Sequence, residues 1–437
     1  MNWPKQYLVT FIRGAACCCL CTALFSANSW SAPHVLPDSS KALDTQIATT
    51  LSLIAEGDLA QARLLARQMA YRFPDYALGQ LISAELETTA AFNDVLTASS
   101  KSMSQPLMAL LLEAQARLSQ AQAPLDTAGL FEPATLPDNI IQIGAHTGQL
   151  LLIDLKASVL YQVMGNDQSP TLVQQHYIGG GKAGYGKKVE GDNKTPLGVY
   201  SITGLRTDAS LPDLYGSGAL MLDYPNTLDR HLGRTGSGIW LHGVPHAQRS
   251  RSPRSSEGCV TMSNDHLLRL KNQITPSDAL VVLGHDFQWS SHEARSKRQK
   301  TFQRLFEQFQ QGWVNKSRTQ LESLYADKNV LENRFRVAGG YQIRVTDTDG
   351  IQQNTENLQR LNQFKHFFED LAMVNSGDIS MTMNPVQPVA TPDDSLTHLV
   401  MQVRFGLVNE HQVTLYWSEV NDGTWRIVAE QWTGLDI

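Results

Sequence analysis

The 437 residues exceed what one hydrophobic core usually supports, so two or three domains are expected. Hydrophobic residues make up 42% of the chain and charged residues 18%, a globular balance that excludes a disordered or collagenous protein. The formal net charge of −6, which deepens by two without Lys5 and Arg13, argues against a general nucleic-acid binder, so no nucleic-acid partner is expected.

In chain order, residues 1–30 come first. Lys5 and Arg13 precede an apolar run from Gly14 to Phe25, and the small residues Ala27 and Ser29 follow. This is the layout of a secretory signal peptide. The run is about a dozen residues, too short to span a bilayer, so a cleavable export signal and a periplasmic location in a Gram-negative cell are expected. Cys17, Cys18, Cys19 and Cys21 lie inside it, none with the leucine three residues earlier that a lipidation box requires. Past this segment one cysteine remains, Cys259, which excludes an intrachain disulfide in a compartment where disulfides form. It lies between Gly258 and Val260 in a polar stretch rich in serine and arginine, a poor place for a buried apolar thiol. A reactive thiol is the better reading.

Residues 38–125 read as helical. Leu51, Ile54, Leu59, Ala62, Leu65, Ala66 and Met69 follow three-and-four spacing, and Pro74 breaks it. The segment Gly57 to Ala62 with Pro74 resembles the second half of a tetratricopeptide unit. One such unit cannot bury its own face, so a small helical cap or docking domain is expected, open to a protein partner or self-association.

A Pro/Asp/Gly-rich linker from Ala123 to Asp138 leads into a mostly β domain over 138–286. Its predicted strands are 140–143, 150–155, 159–164, 172–178, 199–203, 239–241 and 280–283, with glycine-dense turns at 179–181 and 184–186. One helix is predicted over 265–274, capped by Ser263 or Asn264. Residues 293–437 then read as a helix with Phe302, Leu305, Phe306 and Phe309 on one face, followed by hairpin strands at 399–408, 411–420 and 424–432 with a tight turn at Asn421-Asp422-Gly423. That order of elements resembles the NTF2-like fold. The whole is expected to be a multidomain α+β protein.

The chemistry concentrates between Gly236 and Met262. A buried-looking strand ends at His242-Gly243, and Ser255-Ser256-Glu257-Gly258-Cys259-Val260 follows after a basic stretch. A thiol becomes a strong nucleophile when an imidazole takes its proton, and a covalent acyl-enzyme divides a difficult amide exchange into two easier steps.

These residues resemble the L,D-transpeptidase catalytic domain, the YkuD-type family, whose signature is His-Gly followed by Ser-x-Gly-Cys. Upstream, Asp192 to Tyr200 is similar to the same family's D-x-x-T-P-x-G-x-Y segment, and Tyr224-Pro225-Asn226 with Asp229 also fits. The resemblance implies Cys259 as nucleophile, His242 as proton acceptor and donor, and the Gly243 carbonyl as the group orienting the imidazole. It further implies an oxyanion hole from amides around Gly258 and Cys259. Stem-peptide contacts are expected from Ser256, Glu257, Gly258, Arg254 and Tyr224, with Arg249 and Arg251 as further candidates for a carboxylate. The family commonly has histidine where Glu257 stands and arginine or asparagine where Thr261 stands. Ser-Glu-Gly-Cys together with an NTF2-like C-terminal domain resembles the cell-shape L,D-carboxypeptidase branch.

The substrate implied is the peptide stem of peptidoglycan, with transfer to an amine as the leading reaction and hydrolysis to a tripeptide as its rival. A non-catalytic cell-wall scaffold is the reading from another class, opposed by the intact Cys259 and His242 pair. No cofactor is implied, and His231, His242 and His246 lack a metal-ligand spacing.

Overall fold

The computed structural model describes residues 39–88, 105–122, 136–145, 147–165, 170–207, 211–315, 317–327, 370–375, 378–384, 400–406, 412–419 and 424–433. The expected export segment and the Asn421–Gly423 turn lie outside them. The architecture is multidomain α+β.

Four helices open it: α1 (Ser39–Glu56), α2 (Leu59–Arg72), α3 (Ala77–Thr88) and α4 (Gln105–Gln122). Between α1 and α2, Gly57 takes a φ of +86°, a left-handed conformation that costs glycine little, and the Asp58 side chain caps α2 by accepting from the Gln61 N–H. The expected stripe is real but narrower than drawn. Leu51, Ala62, Ala66 and Met69 are buried with Leu43, Ile47 and Tyr76, whereas Leu59 is 37% exposed.

The central sheet contains β3 (Gln149–Asp154), β4 (Val159–Met164), β5 (Thr171–Gly181), β6 (Gly198–Arg206), β7 (Ala219–Leu222), β8 (Trp240–His242), β9 (Arg254–Ser256), β10 (Val260–Met262) and β11 (Ala279–Gly284). Its order is β10-β8-β7-β6-β11-β3-β4-β5-β9, and β10 pairs again with β5, curling the sheet back on itself. β3 and β11 run parallel at its centre and are buried along their whole length, which is why both read as unbroken apolar runs rather than alternating ones. Two helices accompany the sheet, α5 (Thr227–His231) and α6 (Asn264–Gln273), and one face packs Leu151, Ile153, Leu241, Val260 and Val281 against Leu267 and Leu270 of α6. Of the two expected caps, Ser263 is the one used, accepting from the His266 N–H.

The C-terminal region has the long helix α7 (His292–Val314), the short α8 (Arg318–Glu322), and strands β13 (Ser380–Asn384), β14 (Val400–Gly406), β15 (Gln412–Glu419) and β16 (Trp425–Thr433). Phe302, Phe306, Phe309 and Trp313 of α7 bury against Met401, Val403, Phe405 and Trp417 of the sheet. Truncating any one of these aromatics to alanine costs about 3–5 kcal/mol.

One expected boundary is corrected. The segment predicted as the first strand of the central domain, β2 (Ile140–Gln142), pairs with β13 and completes the order β16-β15-β14-β13-β2. Ahead of it β1 (Leu136–Pro137) pairs with β12 (Trp289–Ser290). The division between 138–286 and 293–437 is therefore crossed by the β2–β13 ladder, and residues 293–437 excised alone would lack an edge strand. A three-residue strand carries too little pattern to announce which sheet it joins. Further ties run from Asn384, whose Oδ1 accepts from the Val199 N–H at 3.2 Å, and from Thr227, which donates to Gln431 at 3.1 Å.

Candidate active site

β8 and β10 are adjacent and parallel, with Leu241 opposite Val260 and His242 opposite Thr261. This register is what brings two residues seventeen positions apart to one place. His242 ends its strand, while Cys259 immediately precedes the other.

His242 is 2% exposed, and its Nδ1 lies 2.7 Å from the Gly243 carbonyl oxygen. A carbonyl can only accept, so the proton resides on Nδ1 and the Nε2 lone pair is left to accept another. Burial, opposed by that hydrogen bond and reinforced by the charge of Arg251, lowers the imidazole to a pKa of about 4. The ring therefore stays neutral throughout the physiological range. The thiol of Cys259 is half-buried and donates to the Gly238 carbonyl at 3.4 Å. Burial pushes its pKa up, against a backbone hydrogen bond from Trp240 and the pull of Arg251 and Lys187. At neutral pH the resting pair is thus thiol and neutral imidazole, an arrangement in which the imidazole can accept the thiol proton.

The turn that carries Cys259 is closed by Ser256. Its buried hydroxyl donates to the Cys259 carbonyl at 2.5 Å and accepts from the Gly258 N–H at 3.1 Å. This corrects two expectations. Ser256 is committed to the loop rather than to substrate, and of the amides expected to form an oxyanion hole the Gly258 N–H is already engaged. Gly258 is required for another reason: its φ is +135°, and a Cβ there would stand 2.8 Å from the Lys194 carbonyl oxygen. Gly243 is similarly confined, since a Cβ would meet Asn264 Oδ1 at 2.2 Å. Asn264 uses that oxygen to accept from the Ser217 and Val244 N–H groups and its amide to donate to Val244 O, fixing the turn after His242.

Glu257 is the outward member of the turn, with its side chain 84% exposed and 3.3 Å from Lys182. Arg254 is exposed on β9, opposite Gly180 in the ladder. Tyr224 is corrected. It is 4% exposed, packs in the core with Tyr200, and donates its hydroxyl to the Thr235 carbonyl at 3.1 Å, so it supports the fold instead of touching substrate. Buried aromatic and polar functions look alike in a sequence, and nothing in Tyr224-Pro225 distinguished them.

Other motif residues also prove to be scaffold. Against burial, hydrogen bonds from Lys187, Lys188, Lys194 and Val189 hold Asp192 down to about 2. Thr195 accepts from the Gly181 N–H at 2.9 Å, and Asp229 forms a capping box with Asn226 while pairing with Arg234 at 2.7 Å. What the sequence reading missed is Tyr215. Its ring lies 5.0 Å from that of His242 and 4.9 Å from that of Trp240, giving the imidazole an aromatic wall. The segment 211–217 shows no periodicity that would have flagged it.

The stretch between His242 and Cys259 is held from outside the sheet. Arg249 donates to Asp75, at the turn between α2 and α3, at 2.8 Å, and its guanidinium stands over the Phe73 ring. Ser250 donates to Glu113 of α4 at 2.7 Å. The Tyr177 hydroxyl donates to the Arg251 carbonyl at 2.9 Å, and Arg251 donates to the Ser255 carbonyl at 2.8 Å. The helical region is thus a wall of the site.

Residues 148–283 match the model of the YkuD L,D-transpeptidase catalytic domain. No curated protein matches the chain. Among solved structures, the chain is similar to Bd1075 of Bdellovibrio bacteriovorus, at 21% identity over 68% of this chain and 98% of that one, with a TM-score of 0.44. It is also similar to the helical cell shape determining protein Pgp2 of Campylobacter jejuni, at 19% identity over 68% of this chain and 95% of that one, with a TM-score of 0.44.

Proposed function

Residues 148–283 are an L,D-transpeptidase catalytic domain of the YkuD type, and from that premise we propose that the protein remodels peptidoglycan stem peptides through an acyl-enzyme on Cys259. The observation that carries this reading is the His242 Nδ1 to Gly243 oxygen contact of 2.7 Å, which fixes the base tautomer on the strand beside the nucleophile.

In the first half-reaction Cys259 Sγ attacks the carbonyl of the diamino-acid residue that precedes the terminal D-Ala. Its proton passes to His242 Nε2. The tetrahedral intermediate collapses, His242 returns the proton to the departing D-Ala nitrogen, and a thioester remains on Cys259. In the second, an amine attacks the thioester and yields its proton to His242, which gives it to the leaving sulfur. The product is a cross-link or an exchanged amino acid. Hydrolysis is the rival outcome and is favoured by one feature: Glu257, a nearly fully exposed carboxylate next to the nucleophile, is available to orient water. The Ser-Glu-Gly-Cys sequence supports placing the protein in the cell-shape branch. The layout of residues 1–30 supports action in the periplasm, and the helix-on-sheet C-terminal region supports an NTF2-like docking role.

Incubating the purified protein with disaccharide-tetrapeptide and excess D-amino acid, followed by mass spectrometry, tests the reading. Exchange product or dimer indicates transfer and tripeptide alone indicates hydrolysis, while untouched tetrapeptide, or the same products from Cys259→Ala, would contradict both.

A further inference from the structure

Between the N-terminal helices and the central sheet lies a cavity of about 250 Å³. Asp44, Asp75 and Arg117 line it from the helices, and Ser217, Arg251 and Thr261 from the central domain. Its charged groups are mostly paired with one another. Arg117 bonds Asp44 at 3.0 Å and Glu113 at 2.9 Å, Arg249 bonds Asp75, and His266 stands 3.2 Å from Asp44.

Arg251 differs. It is half-buried, lines the cavity, and forms no ion pair among the described residues. One of its five N–H donors is spent on the Ser255 carbonyl, which ties the guanidinium to the strand that leads into the Cys259 turn. Thr261, opposite His242 in the ladder, also lines the cavity, and its buried Oγ1 has no hydrogen-bond partner among the described residues. A half-buried guanidinium with unspent donors on the wall of a cavity is suited to a carboxylate, which accepts from it.

We propose that Arg251 receives a free carboxylate of the stem peptide in this cavity, and that Asp75 and Glu113 of the helical region are positioning residues that hold the 249–251 segment for it. The proposal rests on the function argued above and adds the group that recognises the substrate. It separates three arginines that look equivalent in sequence. Arg249 is committed to Asp75 and Phe73, Arg254 is exposed on β9, and Arg251 alone of the three faces the cavity unpaired among the described residues. The same charge acts on both Cys259 and His242, which puts the recognised carboxylate close to the reacting groups.

The test is binding rather than turnover. Full-length protein carrying Cys259→Ala is titrated with the free tetrapeptide stem and with the same peptide amidated at one carboxyl at a time. One amidation is expected to weaken binding about tenfold to a hundredfold, as for loss of a charged hydrogen bond. Adding Arg251→Gln should weaken the free peptide by a similar factor and abolish the difference between free and amidated forms. Arg251→Lys should restore part of it, and Arg249→Gln, which removes the partner through which Asp75 acts, should reduce the discrimination only as far as Asp75→Asn does. Asp75→Asn should reduce it, with recovery in Asp75→Glu. Residual binding of both peptides by Arg251→Gln, weakened only by the factor that amidation costs the parent protein, distinguishes a lost contact from a lost fold. Equal discrimination with and without Arg251→Gln would overturn this assignment and leave the proposed function standing. Failure of every peptide to bind would overturn both.

Discussion

The two sides of the candidate active site are built by different means. The side carrying His242 and Cys259 is made of backbone: two parallel strands in register, a Ser256 hydroxyl closing one turn, and glycines at 243 and 258 where a Cβ would collide with main chain or with Asn264. The side carrying Arg249 to Arg251 is made of side chains, anchored by Asp75, Glu113 and Tyr177 from elements outside the loop. The first kind of support tolerates almost no change in its own residues. The second can be altered at a distance, so recognition can shift while the reacting atoms stay where they are.

Substitutions rank accordingly. Cys259→Ala should have the largest effect, a loss of roughly 10⁴-fold or more in turnover with little change in melting temperature, since the side chain is half-buried and the covalent step has no substitute. Residual turnover within tenfold of wild type would break the comparison at its firmest point. Gly258→Ala comes next. Forcing a Cβ at φ +135° against the Lys194 carbonyl should cost about 1–3 kcal/mol in stability and lower turnover with it. A variant as stable and active as wild type would show that the turn is not rigid.

The pH profile sharpens the same side. With His242 depressed to about 4 and the thiol raised, kcat/KM should have its acid limb near pH 4 and remain flat through neutrality, and iodoacetamide labelling of Cys259 should rise only at a pH above that for an ordinary free thiol. The stability contribution of the neutral buried ring is fully present above the unfolded value of 6.5 and is lost as pH falls from 6.5 towards 4. An acid limb at 6.5 would mean that the imidazole is solvated. The smallest effect belongs to the other side: Asp75→Asn should raise KM a few-fold and leave kcat and the pH profile unchanged, because an ion pair with partial exposure contributes about 1 kcal/mol or less. A fall in kcat with constant KM would show the helices acting on the chemistry itself.

What could be read from the residues follows the same division. The placement of His242 at a strand end and of Cys259 in a glycine-flanked turn was legible because both are local signals, and the long apolar runs of β3 and β11 announced strands buried on both faces. Ser263 was legible as a cap because capping is settled within four residues. Arg249–Asp75 and Ser250–Glu113 were not, since their partners lie 174 and 137 positions away and an exposed-looking aspartate in a helical turn carries no mark of its destination. Tyr224 was misread for a related reason: its motif neighbours specify a turn, while the direction of the ring depends on the core beneath. The crossing of Ile140–Gln142 into the C-terminal sheet depends on pairing with residue 381, which no local pattern encodes.

The most direct measurement is intact-protein mass spectrometry of the enzyme quenched in acid during turnover of disaccharide-tetrapeptide. The expected result is a single adduct with the mass of the disaccharide-tripeptide acyl group, mapped to the peptide containing Cys259, formed together with one equivalent of free D-Ala and absent from Cys259→Ala. Release of D-Ala with no adduct at any quench time, or an adduct that persists in Cys259→Ala, would contradict a thioester on this cysteine.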